Sequence, residues 1–141
     1  MINYNREVVK TENQEIDDFI ARYRWDMMKT QTGLRYMIYE NGHGNHARQG
    51  DQVSIKYKIN LLTGDLVFQS DTGSTVILEI GKRKVVSGLE EGILQMQQGD
   101  RAKLIVPSHL AYGLLGDMAS IPAGATLVID VELCTVNKQA K

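Results

Sequence analysis

The chain has 141 residues, a length typical of one domain with at most a short extension. Hydrophobic residues make up 43% and charged residues 23%, so the chain can build a core and disorder is not expected. Sixteen basic and seventeen acidic residues leave a formal charge of −1. That charge provides no field to draw the protein to nucleic acid or to an anionic membrane.

The cysteine content and the apolar runs limit the class of protein further. A single cysteine, Cys134, rules out an internal disulfide and cysteine-rich zinc sites, and it leaves the redox compartment open. No apolar run approaches the ~18–20 residues of a membrane-crossing helix. Residues 1–15 contain no apolar signal core. A leader removed before residue 1 would leave no trace here.

The N-terminal region has the pattern of one helix. Its apolar residues share one helical face: Ile16, Phe19, Ile20 and Tyr23. Thr11 with Gln14 matches a capping box, so a helix is predicted over about residues 11–24, after a polar stretch without a period. Residues 25–30 fit two alternatives, an extension of this helix or a short strand.

From Gly33 onward, apolar and polar residues alternate with a period of two, which is typical of half-buried strands. Strands are predicted over residues 34–39, 53–59, 66–70, 75–80, 101–106 and 125–136. One face of the last strand is apolar throughout, at Leu127, Ile129, Val131 and Leu133. Short turns join most neighbouring strands, so the predicted fold class is α+β with a mainly antiparallel sheet.

One segment within this region has helical spacing instead. Residues 87–97 place Leu89, Ile93 and Met96 on one face, and Ser87 with Glu90 matches a second capping box. We expect this to be the core helix. The irregular segment 107–124 before the last strand is unusually long and rich in apolar residues, which is typical of a functional flap over a cavity.

Polar chemistry is sparse along the chain. His43 and His46 lie in a glycine-rich loop without a third ligand, so a solvated loop is favoured over a metal site. His109 has no nucleophile at a recognisable spacing. Glu90 and Glu91 are adjacent on the predicted helix and point about 100° apart, unlike a catalytic carboxylate pair. The sequence therefore predicts no metal, no cofactor and no acid–base constellation.

Four ordered motifs nevertheless resemble one known family, the FKBP-type peptidyl-prolyl cis-trans isomerases. They lie between about residues 33 and 137, and they are Gly81-Lys82 with residues 85–92 (VVSGLEEG), Met96 with residues 99–104 (GDRAKL), residues 110–113 (LAYG), and Ile121-Pro122 before residues 125–133 (ATLVIDVEL). The resemblance implies a curved antiparallel sheet wrapped around one short helix, here preceded by an N-terminal helix. It divides the chain into an extension, residues 1–32, and an isomerase domain, residues 33–141.

The resemblance also implies a set of site residues. The positions carried over are Tyr57 and Phe68 as aromatic walls, Val85 and Val86 at the pocket floor where a backbone amide meets the substrate carbonyl, Leu89 under the prolyl ring, Tyr112 as a hydroxyl donor to a substrate carbonyl, Ile121 in the flap, and Ile129 on the last strand. Many members have rings at the positions of Leu89 and Ile129. Val76 likewise stands for an aromatic residue at the pocket edge.

One polar departure accompanies these apolar ones. The family usually has aspartate directly after the strand aromatic, whereas Gln69 follows Phe68 here and Asp71 could serve only across a bulge. The leading hypothesis is an isomerase that rotates X-Pro bonds in proteins and assists their folding. The alternative is a non-catalytic peptide-binding chaperone module with the same groove. A purely structural domain is the third alternative.

The expected partners are proline-containing polypeptides and macrolide inhibitors. The N-terminal segment is similar to helical extensions of bacterial extracytoplasmic members, some of which dimerise through them. Packing of the single helix on its own domain is favoured over a dimer. Export, to the periplasm or to a lipid anchor after loss of a leader, is the expectation from this similarity, and a cytoplasmic location stays open.

Overall fold

The structure, a computed structural model, describes residues 4–70, 73–82, 85–111 and 124–138. Within these ranges the elements are, in chain order, helix α1 (Tyr4–Tyr23), strands β1 (Met28–Lys29), β2 (Arg35–Glu40), β3 (Gln52–Leu61), β4 (Leu66–Gln69) and β5 (Val76–Glu79), helix α2 (Ser87–Ile93), strand β6 (Arg101–Val106), a 3₁₀ turn (Ser108–Leu110) and strand β7 (Leu127–Asn137).

The strands form one antiparallel sheet. Its order is β1-β2-β6-β7-β3-β4, and β5 also pairs with β3. The longest ladder joins β3 to β7, and its register shifts between Ser54 and Ile55. This shift explains a deviation from the predicted alternation, because Ser54 and Ile55 are both buried. The Ser54 hydroxyl lies 2.6 Å from the Thr135 hydroxyl, so its burial is compensated by a hydrogen bond.

Helix α2 lies on the inner face of the sheet, above β6. The approach is close because α2 carries two glycines at the contact. A Cβ added at Gly92 would lie 2.5 Å from Leu104 Cδ1, and one at Gly88 would clash with Val106. The inner face of β7 and the buried face of α2 share one core cluster, which includes Leu89, Ile93 and Leu133. The predicted apolar face of the last strand is therefore confirmed.

Helix α2 differs from its prediction in length and in capping. It ends at Ile93, where the i−3 bond from Met96 N–H to Ile93 O tightens the chain into a turn. The predicted capping box is wrong, since the N-cap is Val86. The Ser87 hydroxyl donates to Leu110 O instead, and the Glu90 carboxylate accepts the Gly81 N–H.

Helix α1 packs on the opposite, outer face of the sheet. Ile16 and Phe19 form a second apolar cluster with Ile105 of β6. The helix begins at Tyr4 rather than near residue 11, so the capping box predicted at Thr11 is wrong. Docking of the central turns anchors the helix, and each further residue then adds a hydrogen bond without a new nucleation cost, which carries it through the polar first turns.

The end of α1 settles the alternatives for residues 25–30 in favour of a short strand. Arg24 has φ 56°, in the left-handed region. Arg24 N–H donates to Ala21 O and Trp25 N–H donates to Ile20 O, the two bonds of a Schellman motif. The chain therefore leaves the helix before Met27, and Met28–Lys29 pairs with β2.

The predicted fold class is confirmed: an α+β fold with an antiparallel sheet, one short helix on its inner face and an N-terminal helix. The strand predicted over residues 101–106 has the observed bounds, and the other predicted strands differ by one or two residues at their ends. In the described ranges, neither helix has the length and apolar character that a bilayer crossing needs.

Candidate functional site

Two aromatic side chains face each other where β3 pairs with β4. The ring centroids of Tyr57 and Phe68 are 4.9 Å apart and their planes are inclined by 32°. Tyr57 is half-buried, whereas Phe68 is 41% exposed. The structure therefore brings the two predicted wall residues together, with one accessible from solvent.

Ser70, which directly follows β4, forms hydrogen bonds to the backbone of Tyr57 on β3. Tyr57 N–H donates to the Ser70 hydroxyl at 3.1 Å, and Ser70 N–H donates to Tyr57 O at 3.0 Å. This residue is absent from the predicted site. Its only signal in the sequence is a serine at the end of a predicted strand, which does not distinguish a site residue from a turn residue.

Two further predicted site residues, Leu89 on α2 and Ile129 on the last strand, are fully buried. Leu89 is 1% exposed and Ile129 is 0% exposed. Leu89 lies in the first turn of α2, where its N–H donates to Val86 O at 3.0 Å. Ile129 lies at the middle of the sheet, paired with Leu104 on one side and with Ile59 on the other. Both side chains belong to the core cluster on which Tyr57, Val76, Val85 and Val86 pack.

An open cavity of about 320 Å³ lies between β3, β5 and the chain before α2. Three predicted site residues line it, Tyr57, Val76 and Val85. The other lining residues are Gln52, Ile77, Leu78, Glu79 and Lys82, for which the sequence carries no functional signal. Its volume is at the small end of the ~300–1,000 Å³ found for ligand sites. We call it the β3–β5 cavity.

Not every predicted site residue can be placed. Asp71, Tyr112 and Ile121 lie outside the described residues. Phe68, Val86, Leu89 and Ile129 are described but do not line the β3–β5 cavity. Leu89 and Ile129 instead belong to the core cluster against which Tyr57, Val76 and Val85 pack.

Two of the three histidines, His46 and His109, and the acids of α2 make contacts with loop residues. His46 Nε2 lies 2.8 Å from Leu94 O, and His109 Nε2 lies 2.7 Å from Thr32 O. The Glu91 carboxylate accepts the Thr32 hydroxyl at 2.6 Å. In the part of the chain that the structure describes, no three His, Cys, Asp or Glu side chains are grouped to hold a metal ion. Burial raises the pKa of the Cys134 thiol, which disfavours a reactive thiolate.

The outer face carries a polar cluster. Asp130 accepts the Tyr39 hydroxyl and the Lys103 ammonium, both at 2.8 Å. Partial burial and the bond to Asp130 raise the pKa of Tyr39 to about 12. Arg101 Cζ lies 5.7 Å from the centroid of the Tyr39 ring, and the charge of the ionised Tyr39 raises the pKa of the Arg101 guanidinium. The charged groups of β6 and β7 therefore point away from the face that carries the cavity.

The comparisons with known proteins agree with this geometry. The sequence model described as "FKBP-type peptidyl-prolyl cis-trans isomerase" matches residues 44–134. The bovine (Bos taurus) "Peptidyl-prolyl cis-trans isomerase FKBP11" is 43% identical over 84 residues, which are 60% of this chain and 41% of that protein. A "Probable FKBP-type peptidyl-prolyl cis-trans isomerase" of Haemophilus influenzae is 32% identical over 136 residues, which are 95% of this chain and 56% of that protein.

A solved structure extends the similarity to the N-terminal helix. The crystal structure of FkpA from Escherichia coli has a TM-score of 0.79 and 30% identity, and the match covers 94% of this chain and 62% of that one. The chain thus spans less than two thirds of each of these three relatives. Since the family model covers more than half of the chain, the protein belongs to the FKBP-type peptidyl-prolyl cis-trans isomerase family.

Proposed function

We propose that this protein catalyses cis–trans rotation of X-Pro bonds in polypeptides and thereby assists folding. The observation that supports this function is the β3–β5 cavity, which is lined by Tyr57, Val76 and Val85, three residues that pack on the core cluster containing Leu89 and Ile129. The wall formed by Tyr57, Val76 and Val85 is largely apolar, and the cavity is open to solvent. Such a site accepts a pyrrolidine ring while the flanking peptide stays outside.

The reaction needs a selective environment rather than a reactive group. An X-Pro bond rotates over a barrier of ~18–20 kcal/mol, because the amide C–N bond has partial double-bond character. In the twisted amide this conjugation is lost, so its carbonyl is less polar and loses less on leaving water. A dry pocket that prefers the twisted form therefore accelerates rotation tenfold for each ~1.36 kcal/mol of preference.

We assign the roles within the site as follows. The prolyl pocket is defined here as Tyr57, Phe68, Leu89 and Ile129. Tyr57 and Phe68 are its walls, and the buried Leu89 and Ile129 belong to the core cluster on which Tyr57 packs. The Val86 amide and the Tyr112 hydroxyl hold the carbonyls on either side. Ile121 covers the bound peptide, and Asp71 takes the place of the carboxylate that Gln69 lacks.

The extension and the partners complete the proposal. Residues 1–32 form an extension, and residues 33–141 form the isomerase domain. Burial of Ile16 and Phe19 against Ile105 supports a monomer, because the apolar face of α1 is already covered by its own sheet. Proline-containing polypeptides are the substrates, and macrolide inhibitors compete with them for the same site.

Exchange spectroscopy on a proline tetrapeptide tests the proposal. The protein should raise the cis–trans exchange rate above that in buffer, and a rate equal to buffer would reject catalysis. Val76→Asp should lower the rate by about tenfold or more, since the bound pyrrolidine ring would have to cover and desolvate the new carboxylate. Leu66→Asp, on the exposed part of β4, is the matched control and should leave it unchanged.

The non-catalytic peptide-binding module stays the second candidate. The observation that favours it is the lack of rings at Val76, Leu89 and Ile129, which reduces aromatic contact with substrate. Titration of the tetrapeptide followed by NMR separates the two candidates. Shift perturbation without faster exchange would indicate the binding module, whereas faster exchange would indicate the isomerase. Tyr112→Phe should reduce the exchange rate modestly, by about two- to tenfold for one hydrogen bond.

A further inference from the structure

A buried carboxylate on the outer side of the sheet accepts three hydrogen bonds. Glu12, on α1, is 8% exposed. Its Oε2 accepts the Ser108 N–H at 2.7 Å and the Thr126 hydroxyl at 2.5 Å, and its Oε1 accepts the Ser108 hydroxyl at 3.0 Å. These bonds satisfy the carboxylate and fix it in one orientation.

The three donors belong to two segments of the backbone that diverge at this point, one after β6 and one before β7. Val106 and Leu127 are the last pair of the β6–β7 ladder. Ser108 lies just beyond the end of β6, and Thr126 lies just before the start of β7. Glu12 therefore joins these two segments at the point where the hydrogen bonds between β6 and β7 end. We call this contact the Glu12 bridge.

The Glu12 bridge borders the buried residues of the prolyl pocket. Ser108 begins the 3₁₀ turn that ends at Leu110, and Leu110 O accepts the Ser87 hydroxyl at 3.2 Å. A Cβ added to Gly88 would lie 3.3 Å from Leu110 Cβ, so the turn packs directly on the start of α2 next to Leu89. In the other segment, Thr126 directly precedes β7, the strand that contains Ile129.

We infer that Glu12 is a positioning residue for the prolyl pocket, acting through Ser108 and Thr126 on the placement of Leu89 and Ile129. This inference rests on the proposed isomerase function. Glu12 lies outside the segment 44–134 that matches the family model, so the extension contributes to the geometry of the site. Loss of the carboxylate leaves three buried donors without their acceptor. The segments that contain Ser108 and Thr126 must then shift so that these donors find other hydrogen-bond partners.

Methyl NMR and exchange kinetics on substituted full-length protein test this role. Glu12→Ala should shift the Leu89 and Ile129 methyl signals and lower kcat/KM by about two- to tenfold, at a temperature where the variant stays folded. Glu12→Gln should have a smaller effect, because its amide oxygen still accepts a hydrogen bond. Glu15→Gln, exposed on the same helix, is the control and should change neither readout.

A second variant tests the bridge without altering α1. Thr126→Val removes one donor and should change both readouts in the same direction as Glu12→Ala. The double variant should show less than the sum of the two effects, because both remove the same contact. Unchanged methyl signals and kcat/KM in a variant with a lower unfolding temperature would overturn the inference and leave Glu12 a purely stabilising role. A wild type without catalysis would refute the proposed function alone, since the methyl signals still decide the inference.

Discussion

The two faces of β7 carry opposite chemistry although they belong to one strand. Its inner residues, Leu127, Ile129, Val131 and Leu133, are fully buried in the core. Its outer residues include Asp130, which holds Tyr39 and Lys103. A strand exposes alternate side chains on opposite faces, so an apolar site and a charged surface can lie one residue apart. The inner face of β7 therefore stays apolar in a protein with an average content of charge.

The largest expected effect comes from shortening buried side chains of β7, either within the prolyl pocket or elsewhere on the inner face. Ile129→Ala and Leu133→Ala each remove a fully buried side chain from β7, and each should lower the free energy of unfolding by about 2–5 kcal/mol. Only Ile129→Ala should also lower the exchange rate of the proline tetrapeptide. Urea denaturation and exchange spectroscopy measure the two quantities. An equal loss of rate in Leu133→Ala would show that the inner face acts as one unit.

A smaller effect is expected when a ring is restored at the cavity. Val76→Phe adds an aromatic wall to the β3–β5 cavity and should lower KM by about two- to tenfold, the equivalent of ~0.5–1.5 kcal/mol. Leu66→Phe on exposed β4 is the matched control and should leave KM unchanged. Initial exchange rates over a range of peptide concentrations measure KM. A higher KM in Val76→Phe would show that the ring fills the space that the substrate needs.

On the outer face, the ion pair should affect stability without affecting catalysis. Lys103 Nζ lies 2.8 Å from Asp130 Oδ2 and 5.4 Å from the Tyr39 ring centroid. Both partners are partly exposed to water, so their coupling energy should be about 0.2–1 kcal/mol. A double-mutant cycle with Lys103→Met and Asp130→Asn measures it by denaturation. A fall in exchange rate in either variant would contradict the separation of the two faces.

The pH dependence of Tyr39 is the last expected effect. Its folded-state pKa is raised to about 12, so its contribution to stability is complete below the ordinary pKa of about 10 and is lost as the pH rises towards 12. Tyr39→Phe lacks this contribution. The stability advantage of wild type over Tyr39→Phe should therefore decrease between about pH 9 and about pH 12. An advantage that stays constant over this range would show that the phenol titrates normally.

The phase of the strands could be predicted from the sequence, because it depends only on neighbouring residues. Residues 101–104 alternate between polar and apolar side chains, the strand is bounded by a Gly99-Asp100 turn and Pro107, and it has the predicted bounds. Ile105 departs from the alternation because α1 covers it on the outer face. The Asp100 carboxylate accepts the Gln97 N–H at 2.9 Å and the Gly42 N–H at 2.7 Å, so this turn is fixed as the sequence suggests. Ser54 broke the pattern, since a register shift is set by the partner strand rather than by the strand itself.

The site could be predicted only in part. The resemblance named Tyr57, Val76 and Val85, and these residues line one cavity. The contact between Glu12, Ser108 and Thr126 had no signal, because it joins positions far apart in the chain and none of these residue types is unusual at a surface. Helix α1 was underestimated for the same reason, since its length depends on docking to the sheet.

The order of strands has a consequence for the synthesis of the protein. Strand β7 lies between β6 and β3, so the middle of the sheet is made after all the other described strands. A nascent chain that has not yet emerged past Leu127 carries β3 and β6 with unpaired edges and an open core. During synthesis, this domain can therefore complete its sheet only after β7 has emerged from the ribosome. Until then, the exposed edges of β3 and β6 favour aggregation.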